Sequence, residues 1–362
     1  MKILYVLDSH YAFNNGCWFY RNRIPLRALQ KKGHTVHFIA LNSGKGLQQE
    51  TIDFPDVAVF SRTYPIDPLM TLRAFKQAGK KVAYDTDDDL WSVNPANPSV
   101  AVSIEKRRQY EHLMAECDVV TTTTPELAKI LKKFNKNVHV CPNAIDYELL
   151  VDSPRPKLPK EQIRIGYTGA ASHWKDLSLI ADVLLELQKK HKFEFILQGM
   201  CGQPLEVEMW QYKQALDFGL QPEKKLFLES ALDWYKKMEK IKFMHVPFYP
   251  PIMYPALLKS IDLDIGIAPL NDNKFNHSKS CVKFYEYASV GAATLASDVM
   301  PYSKEVGYCC KNTAKDWVKK LEKLIVDEKF RKQLAEKQTK WVKENRDIKV
   351  IATKWEDAFD PE

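Results

Sequence analysis

Short apolar runs that alternate with helical patterns constrain the fold of this chain more than any other feature. The first forty residues hold one complete repeat: residues 3–7 and 36–41 are apolar runs, and residues 18–32 between them have helical periodicity. Two strands joined through a helix lie parallel in a sheet, because the helix carries the chain from the end of the first strand back to the side of the sheet where that strand began. Further apolar runs at residues 57–60, 81–84, 119–122 and 138–141 extend this βαβ unit to a doubly wound α/β domain.

Three prolines separate this half of the chain from a second one. Pro154, Pro156 and Pro159 fall within six residues, a composition typical of an extended connector. The alternation then restarts, with strands predicted at residues 163–167, 193–198, 226–228 and 261–268 and helices at residues 176–190 and 254–260. We therefore predict two Rossmann-like domains, residues 1–155 and 156–340, followed by a last helix within residues 341–362. The carboxyl ends of two such sheets meet at a cleft, where open parallel sheets bind ligands.

Composition and charge narrow the class of protein. A chain of 362 residues that is 45% hydrophobic and 27% charged is typical of a folded globular protein. No apolar stretch approaches the roughly 20 residues of a membrane span, so we expect any membrane contact to be peripheral. The seven cysteines are scattered, without a C-x-x-C pair, and predict reduced thiols in a cytoplasmic protein. The net charge of +7 favours anionic partners such as nucleotides, nucleic acids or anionic lipid surfaces.

The segment with the most chemical information is residues 270–291. A helix that begins near Ser278, with Ser278 or Ser280 as its N-cap, would stack Lys279, Lys283 and Glu286 on one face. Lysines at the positive end of a helix dipole are unfavourable unless an anion is bound there. The spacing therefore predicts a phosphate cradle, with Glu286 one turn deeper to accept hydrogen bonds from vicinal ribose hydroxyls. The alternative is a solvated helix face with a Lys–Glu pair.

The same segment resembles a known family. Its pattern N-x-x-K-S-x-x-K-x-x-E-Y-x-x-x-G, from Asn276 to Gly291, resembles the C-terminal signature of GT-B glycosyltransferases of family 4. The resemblance implies two Rossmann-like domains that face a central cleft, with the last helix crossing back to pack on the first domain. It further implies that Glu286 holds the ribose of a nucleotide sugar and that Lys283 and Lys279 contact its diphosphate. Ser278 stands where the family has the first Glu of an E-x7-E pair. Because that Glu contacts the transferred sugar in the family, the resemblance does not specify which sugar is transferred.

Two loops extend the resemblance over nearly the whole chain. Residues 16–21 (GCWFYR) look like the N-terminal loop in which a glycine, here Gly16, lets the backbone approach the donor phosphates. Residues 165–177 look like the loop that faces the diphosphate, where His173 and Lys175 are the available cations. The alternative for His173 is a capping or core histidine. The resemblance thus implies a catalytic group of Lys283, Lys279 and His173 and a donor-binding group of Gly16, Gly169, Ser172, Lys175, Ser278 and Glu286.

Four aspartates, Asp85, Asp87, Asp88 and Asp89, lie within five residues after the predicted strand at 81–84. Like charges so close together need cations, donors or protonation to relieve their repulsion. One interpretation is a divalent-metal site of the D-x-D type, which GT-A enzymes use. We favour a second, in which the loop faces the cleft, Asp88 joins the catalytic group, and Asp85, Asp87, Asp89 and Arg21 face the acceptor. The third is helix N-capping by Asp87 or Asp88, which is compatible with the second.

The resemblance implies a retaining glycosyltransferase that moves a sugar from a nucleotide diphosphate sugar to a hydroxyl, without a required metal or other cofactor. The favoured acceptor is a cell-surface or lipid-linked glycan, and the alternative is a hydroxylated DNA base, as for some phage enzymes. The expected location is the cytoplasm. The alternatives are the inner membrane surface and, for a phage-encoded enzyme, the cytoplasm of the host cell. A hypothesis of another class is a non-catalytic nucleotide-sugar or glycan binding protein. A Rossmann dehydrogenase is disfavoured, because residues 8–16 lack G-x-G-x-x-G.

Overall fold

The structure is a computed structural model that describes residues 1–7, 15–40, 47–61, 68–93, 104–151, 157–170, 173–200, 204–216, 220 and 222–360. The connector prolines Pro154 and Pro156 lie outside these residues, as does the predicted boundary at residue 155. Ser172 of the predicted donor site also lies outside them.

The first half of the chain forms one parallel sheet of six strands in the order β2-β1-β3-β4-β5-β6. Its strands are β1 (Lys2–Leu7), β2 (Thr35–Ala40), β3 (Val57–Ser61), β4 (Lys81–Thr86), β5 (Val119–Thr122) and β6 (Val138–Val140). Its helices are α1 (Gly16–Trp18), a π-helical turn (Phe19–Arg23), α2 (Ile24–Lys31), α3 (Gln49–Asp53), α4 (Pro68–Gln77), α5 (Ile104–Glu116), α6 (Pro125–Leu131) and α7 (Tyr147–Val151).

The second half forms another parallel six-stranded sheet, in the order β12-β11-β10-β7-β8-β9. Its strands are β7 (Arg164–Ala170), β8 (Glu194–Met200), β9 (Met244–Val246), β10 (Ile265–Ala268), β11 (Ala293–Ser297) and β12 (Cys309–Cys310). Its helices are α8 (Trp174–Ser178), α9 (Ala181–Lys190), α10 (Leu205–Leu216), α11 (Pro222–Met238), α12 (Tyr254–Ile261), α13 (Lys274–His277), α14 (Val282–Ser289), α15 (Tyr302–Glu305), α16 (Ala314–Val326) and α17 (Glu328–Arg346), and α18 (Ile348–Phe359) ends the described chain. The predicted α/β architecture with two parallel sheets is confirmed.

Two predicted elements are wrong. The adjacent residues Leu, Phe and Leu predict a strand at 226–228, but this segment lies inside α11. The buried residues Leu228, Ala231, Trp234 and Met238 follow one another at three- or four-residue spacing, which is the helical period and places them on the core side. The helix predicted at residues 176–190 is divided into α8 and α9.

The start of α14 also differs from the prediction. The helix begins at Val282 after Cys281, and no side chain caps it. The two serines expected as caps instead contact the first half of the chain: the Ser278 carbonyl accepts from Thr124 Oγ1 at 2.8 Å, and Ser280 Oγ accepts from Asn143 Nδ2 at 2.9 Å. Interdomain hydrogen bonds have taken the place of capping.

The last helix crosses back to the first sheet, as the predicted fold requires. On α18, the side chains of Ile351, Trp355 and Phe359 are buried in the core around β1. The Phe359 ring packs edge-on against Tyr5, with 6.5 Å between ring centroids. Trp341 on α17 instead packs on the second half of the chain, against Phe284. Among the described helices, none is both long enough and apolar enough to traverse a bilayer.

Candidate functional site

A cavity of about 360 Å³ lies between the two sheets, and we call it the interdomain cleft. Loops at the carboxyl ends of strands in both halves line it, as expected for open parallel sheets. Of the predicted site residues, the cleft brings together Gly16, Asp87, Asp88, Gly169, His173, Lys279, Lys283 and Glu286.

Two lysines supply positive charge to the cleft from the region where α14 begins. Lys283 Nζ lies 5.1 Å from the centroid of the Tyr167 ring, and Lys279 Nζ lies 4.5 Å from that of Phe275. Within the part of the chain that the structure describes, neither ammonium has a carboxylate at ion-pair distance. Burial lowers the pKa of Lys283 to about 8. Two cations at the positive end of a helix, with no carboxylate at ion-pair distance among the described residues, form a site suited to an anion.

Gly169, at the end of β7, makes room for this arrangement. A Cβ at this position would lie 2.8 Å from the Tyr167 hydroxyl and 2.9 Å from Lys283 Nζ, closer than van der Waals contact allows. Glycine therefore leaves room at the end of β7 for the Lys283 ammonium and the Tyr167 hydroxyl.

Glu286 lies one turn into α14 and is held by a tyrosine from each half of the chain. Tyr20, in the π-helical turn, donates to Oε1 at 2.5 Å, and Tyr254 contacts Oε2 at 3.0 Å. The Tyr254 hydroxyl also lies 2.9 Å from Thr168 Oγ1. Only 8% of Glu286 is exposed, and burial raises the pKa of its carboxyl. The carboxylate is thus fixed in place at the wall of the cleft.

His173 is a neutral group and not the predicted cation. Burial, reinforced by the charge of Lys283, lowers the pKa of His173 to about 4. Its Nδ1 lies 2.8 Å from Asp176 Oδ2, and the other oxygen of Asp176 accepts from the backbone and side chain of Asn271. A ring that donates from Nδ1 has Nε2 as a hydrogen-bond acceptor. His173 occupies the N-cap position of α8, as the capping alternative predicts, but its side chain makes no capping hydrogen bond.

The acidic loop divides into cleft and core residues. Asp87 and Asp88 line the cleft, whereas Asp85 and Arg21 form a buried ion pair with a 2.6 Å contact. Asp85 also accepts from the Thr121 hydroxyl, and Arg21 donates to the Cys141 carbonyl. The predicted acceptor-facing role of Asp85 and Arg21 is therefore wrong, because their side chains are 0% and 1% exposed.

Asp89 does not face the cleft either. It is buried, and its Oδ1 accepts from the backbone amides of Trp91 and Ser92, so it stabilises the turn after β4. The predicted acceptor-facing role of Asp89 is corrected accordingly. No helix begins within the described residues 87–93, so N-capping by Asp87 or Asp88 is also wrong.

The metal interpretation of the loop rests on a mixed set of ligands. Cys17, Asp87 and Asp88 each place one potential ligand atom within 4.8 Å of the other two. A thiol beside two carboxylates fits poorly with Mg²⁺ or Ca²⁺, which prefer oxygen ligands throughout.

Two more predicted donor-site residues lie away from the cleft lining. Lys175 is exposed on α8, and Ser278 is buried against Thr124. The cleft lining also includes residues that were not predicted as site residues from the sequence, among them Tyr20, Tyr254, Thr168 and the exposed Phe248. Tyr20 stands inside the segment GCWFYR, but no pattern in the sequence relates it to a glutamate 266 residues away.

Comparison with known proteins identifies the fold. No protein-family model and no curated sequence matches the chain. An alpha-glucosyltransferase in complex with UDP superposes over 99% of both chains with a TM-score of 0.64 and 11% identity. An alpha-glucosyltransferase in complex with UDP-glucose and DNA containing an abasic site has a TM-score of 0.63 and 11% identity, over 99% of this chain and 98% of that one.

Two further structures match over almost the whole chain. The E. coli trehalose-6-phosphate structure with UDP-2-fluoro glucose has a TM-score of 0.60 and 10% identity, over 99% of both chains. The catalytic domain of starch synthase IV from Arabidopsis thaliana, bound to ADP and acarbose, has the same TM-score and identity over 99% of this chain and 98% of that one. The predicted GT-B fold is confirmed.

Proposed function

We propose that this chain is a glycosyltransferase that moves a sugar from a nucleotide diphosphate sugar to a hydroxyl acceptor. The observation that carries the proposal is the pair Lys279 and Lys283 near the fixed carboxylate of Glu286, with no carboxylate at ion-pair distance from either ammonium among the described residues. The lysines would neutralise a diphosphate, and Glu286 would accept from the ribose hydroxyls. The neighbours' complexes with UDP, UDP-glucose or ADP support a nucleotide in this cleft.

In the proposed reaction, the chain's main task is to stabilise the negative charge that grows on the leaving diphosphate. Protonated Lys283 and Lys279 and the amino end of α14 supply this stabilisation, which contributes most of the rate enhancement in many enzymes. The neutral His173 offers Nε2 as an acceptor for a substrate hydroxyl. The family 4 resemblance supports retention of configuration by front-face attack, with the donor phosphate assisting deprotonation of the acceptor.

For the acceptor we propose a glycan, cell-surface or lipid-linked, whose hydroxyls contact Asp87 and Asp88 across the cleft. The enzyme would then act in the cytoplasm, at the inner membrane surface when the acceptor is lipid-linked, and would need no metal. Neutral polyols suit a cleft wall with two carboxylates, since hydroxyls donate to carboxylate oxygens.

The second candidate acceptor is a hydroxylated base in DNA. The whole-chain similarity to an alpha-glucosyltransferase solved with DNA supports it. Such a base would have to be flipped out of the duplex to reach Lys283. Binding of duplex DNA that falls steeply between about 50 and 200 mM salt would favour this acceptor, because counterion release drives such binding.

The test is a panel of UDP-, GDP- and ADP-sugars, measured for thermal stabilisation and for release of nucleoside diphosphate. We expect at least one donor to raise the Tm, because a ligand that binds the native state stabilises it by mass action. The same donor should be slowly hydrolysed, and Lys283→Met should lower the rate by about 100-fold. Tight donor binding without release for any acceptor would instead support a non-catalytic binding protein.

A further inference from the structure

The two domains are joined at Glu286 by a hydrogen bond that the proposed reaction does not use. Tyr20 comes from the π-helical turn between α1 and α2, and its hydroxyl is 2.5 Å from Glu286 Oε1. Tyr20 belongs to the first domain and Glu286 to the second. A π-turn inside a helix is often found at a functional site.

The second tyrosine on the same carboxylate belongs to the second domain. Tyr254 opens α12 and contacts Glu286 Oε2 at 3.0 Å and Thr168 Oγ1 at 2.9 Å. Each carboxylate oxygen therefore has one tyrosine hydroxyl. Only Tyr20 would separate from Glu286 if the two domains moved apart, because Tyr254 and Thr168 move with the second domain.

We propose that Tyr20 is an interdomain latch, whose hydroxyl takes on Glu286 the hydrogen-bonding position of a nucleotide ribose hydroxyl, so that donor binding breaks the Tyr20–Glu286 bond. The inference rests on the proposed function, since it requires that Glu286 binds ribose. A phenol and a ribose hydroxyl offer the carboxylate the same kind of donor. A ribose hydroxyl that donates to Oε1 would meet the Tyr20 hydroxyl there, and a carboxylate that is only 8% exposed has little room for a second donor on that oxygen.

The latch acts alongside other contacts between the domains. Besides Tyr20–Glu286, the side-chain hydrogen bonds between the two domains in the described residues include Asn143 to Ser280, Thr124 to the Ser278 carbonyl, and the exposed pair Lys304–Glu126. Among these four contacts, Tyr20–Glu286 alone involves a residue of the proposed donor site that accepts from ribose. Donor binding and domain opening are therefore coupled through Glu286.

The experiment measures the Kd and association rate of UDP, GDP and ADP for the wild-type chain, Tyr20→Phe and Tyr254→Phe. Both variants remove one hydroxyl from the same carboxylate and keep the ring, so they form a matched pair. We expect Tyr20→Phe to lower the Kd of the cognate nucleotide about fivefold and to raise the association rate, because binding no longer breaks a charge-assisted hydrogen bond. Tyr254→Phe should raise the Kd, because Glu286 loses the partner that orients it.

The outcomes separate the latch from the function on which it depends. A Tyr20→Phe variant that folds, with a Tm within a few degrees of wild type, and that binds the nucleotide no more tightly than wild type would overturn the latch. If Tyr20→Phe is unstable, Tyr20→Trp gives the second test, and the same tightening is expected because the phenol is again lost. If the wild type and all variants bind none of the three nucleotides, the proposed function itself is wrong.

Discussion

At the scale of single residues, the chemistry of the cleft depends on how far burial moves each group from its behaviour in water. Lys283 is desolvated, and the same burial that lowers its pKa to about 8 makes its charge more effective toward a phosphate. Burial also lowers the pKa of His173, but to about 4, so its ring is neutral at pH 7 where the sequence predicted a cation. Both groups could be found in the sequence, but their protonation could not, because it depends on neighbours that only the fold brings together.

The lowered pKa of Lys283 predicts a pH dependence of nucleotide binding. Above pH 8 the lysine loses its proton, so the Kd of a nucleoside diphosphate should rise, by up to about tenfold per pH unit. Measurement between about pH 7.5 and 9.5 avoids the titration of the phosphate itself. Lys283→Arg is the matched control, because a guanidinium stays charged over this range and should flatten the profile. A flat wild-type profile, or an equal slope in both proteins, would contradict the assignment of Lys283.

At the scale of elements, hydrophobic periodicity predicted most strands to within two residues, but not what the loops between them contact. The spacing of Lys283 and Glu286 indicated the site because both lie on α14, and Lys279 joins them from the segment that precedes this helix. Tyr20 and Tyr254 were not predicted as site residues, because each lies on a different helical element from Glu286 and contacts it only in the folded chain. The sequence alone could not show which aspartates of the acidic loop are in the core and which line the cleft. That division depends on the buried ion pair between Arg21 and Asp85.

The loop after β4 makes a prediction about stability. Asp85→Asn leaves the guanidinium of Arg21 buried without a countercharge, and breaking such a pair costs about 3–5 kcal/mol. Asp88→Asn, in the same loop but at the cleft, should change the free energy of unfolding by less than about 1 kcal/mol. Urea denaturation of the two variants compares them directly. Equal losses of stability in both would refute the division of the loop.

At the scale of the whole molecule, two parallel sheets face each other, and α18 ties the second half back to the core of the first. The backbone amide of Ile145 donates to the carbonyl of Arg346, and that of Ile348 donates to the carbonyl of Ile145, where the chain returns. The α/β fold with parallel sheets followed from the sequence, because the alternation of apolar runs with helical patterns is a local signal. How the domains contact each other did not follow, since residues far apart in the chain make those contacts.

The central claim is that Glu286 and Lys283 of α14, with Lys279 just before this helix, bind a nucleotide in the interdomain cleft. The most direct measurement is a calorimetric titration of nucleoside diphosphate into wild-type chain and into Glu286→Gln, which keeps the shape of the side chain but removes its charge and one acceptor oxygen. We predict micromolar binding by the wild type and an affinity about tenfold weaker in the variant, with an unchanged Tm. An equal Kd in the two proteins, or no binding of UDP, GDP or ADP to the wild type, would contradict the claim.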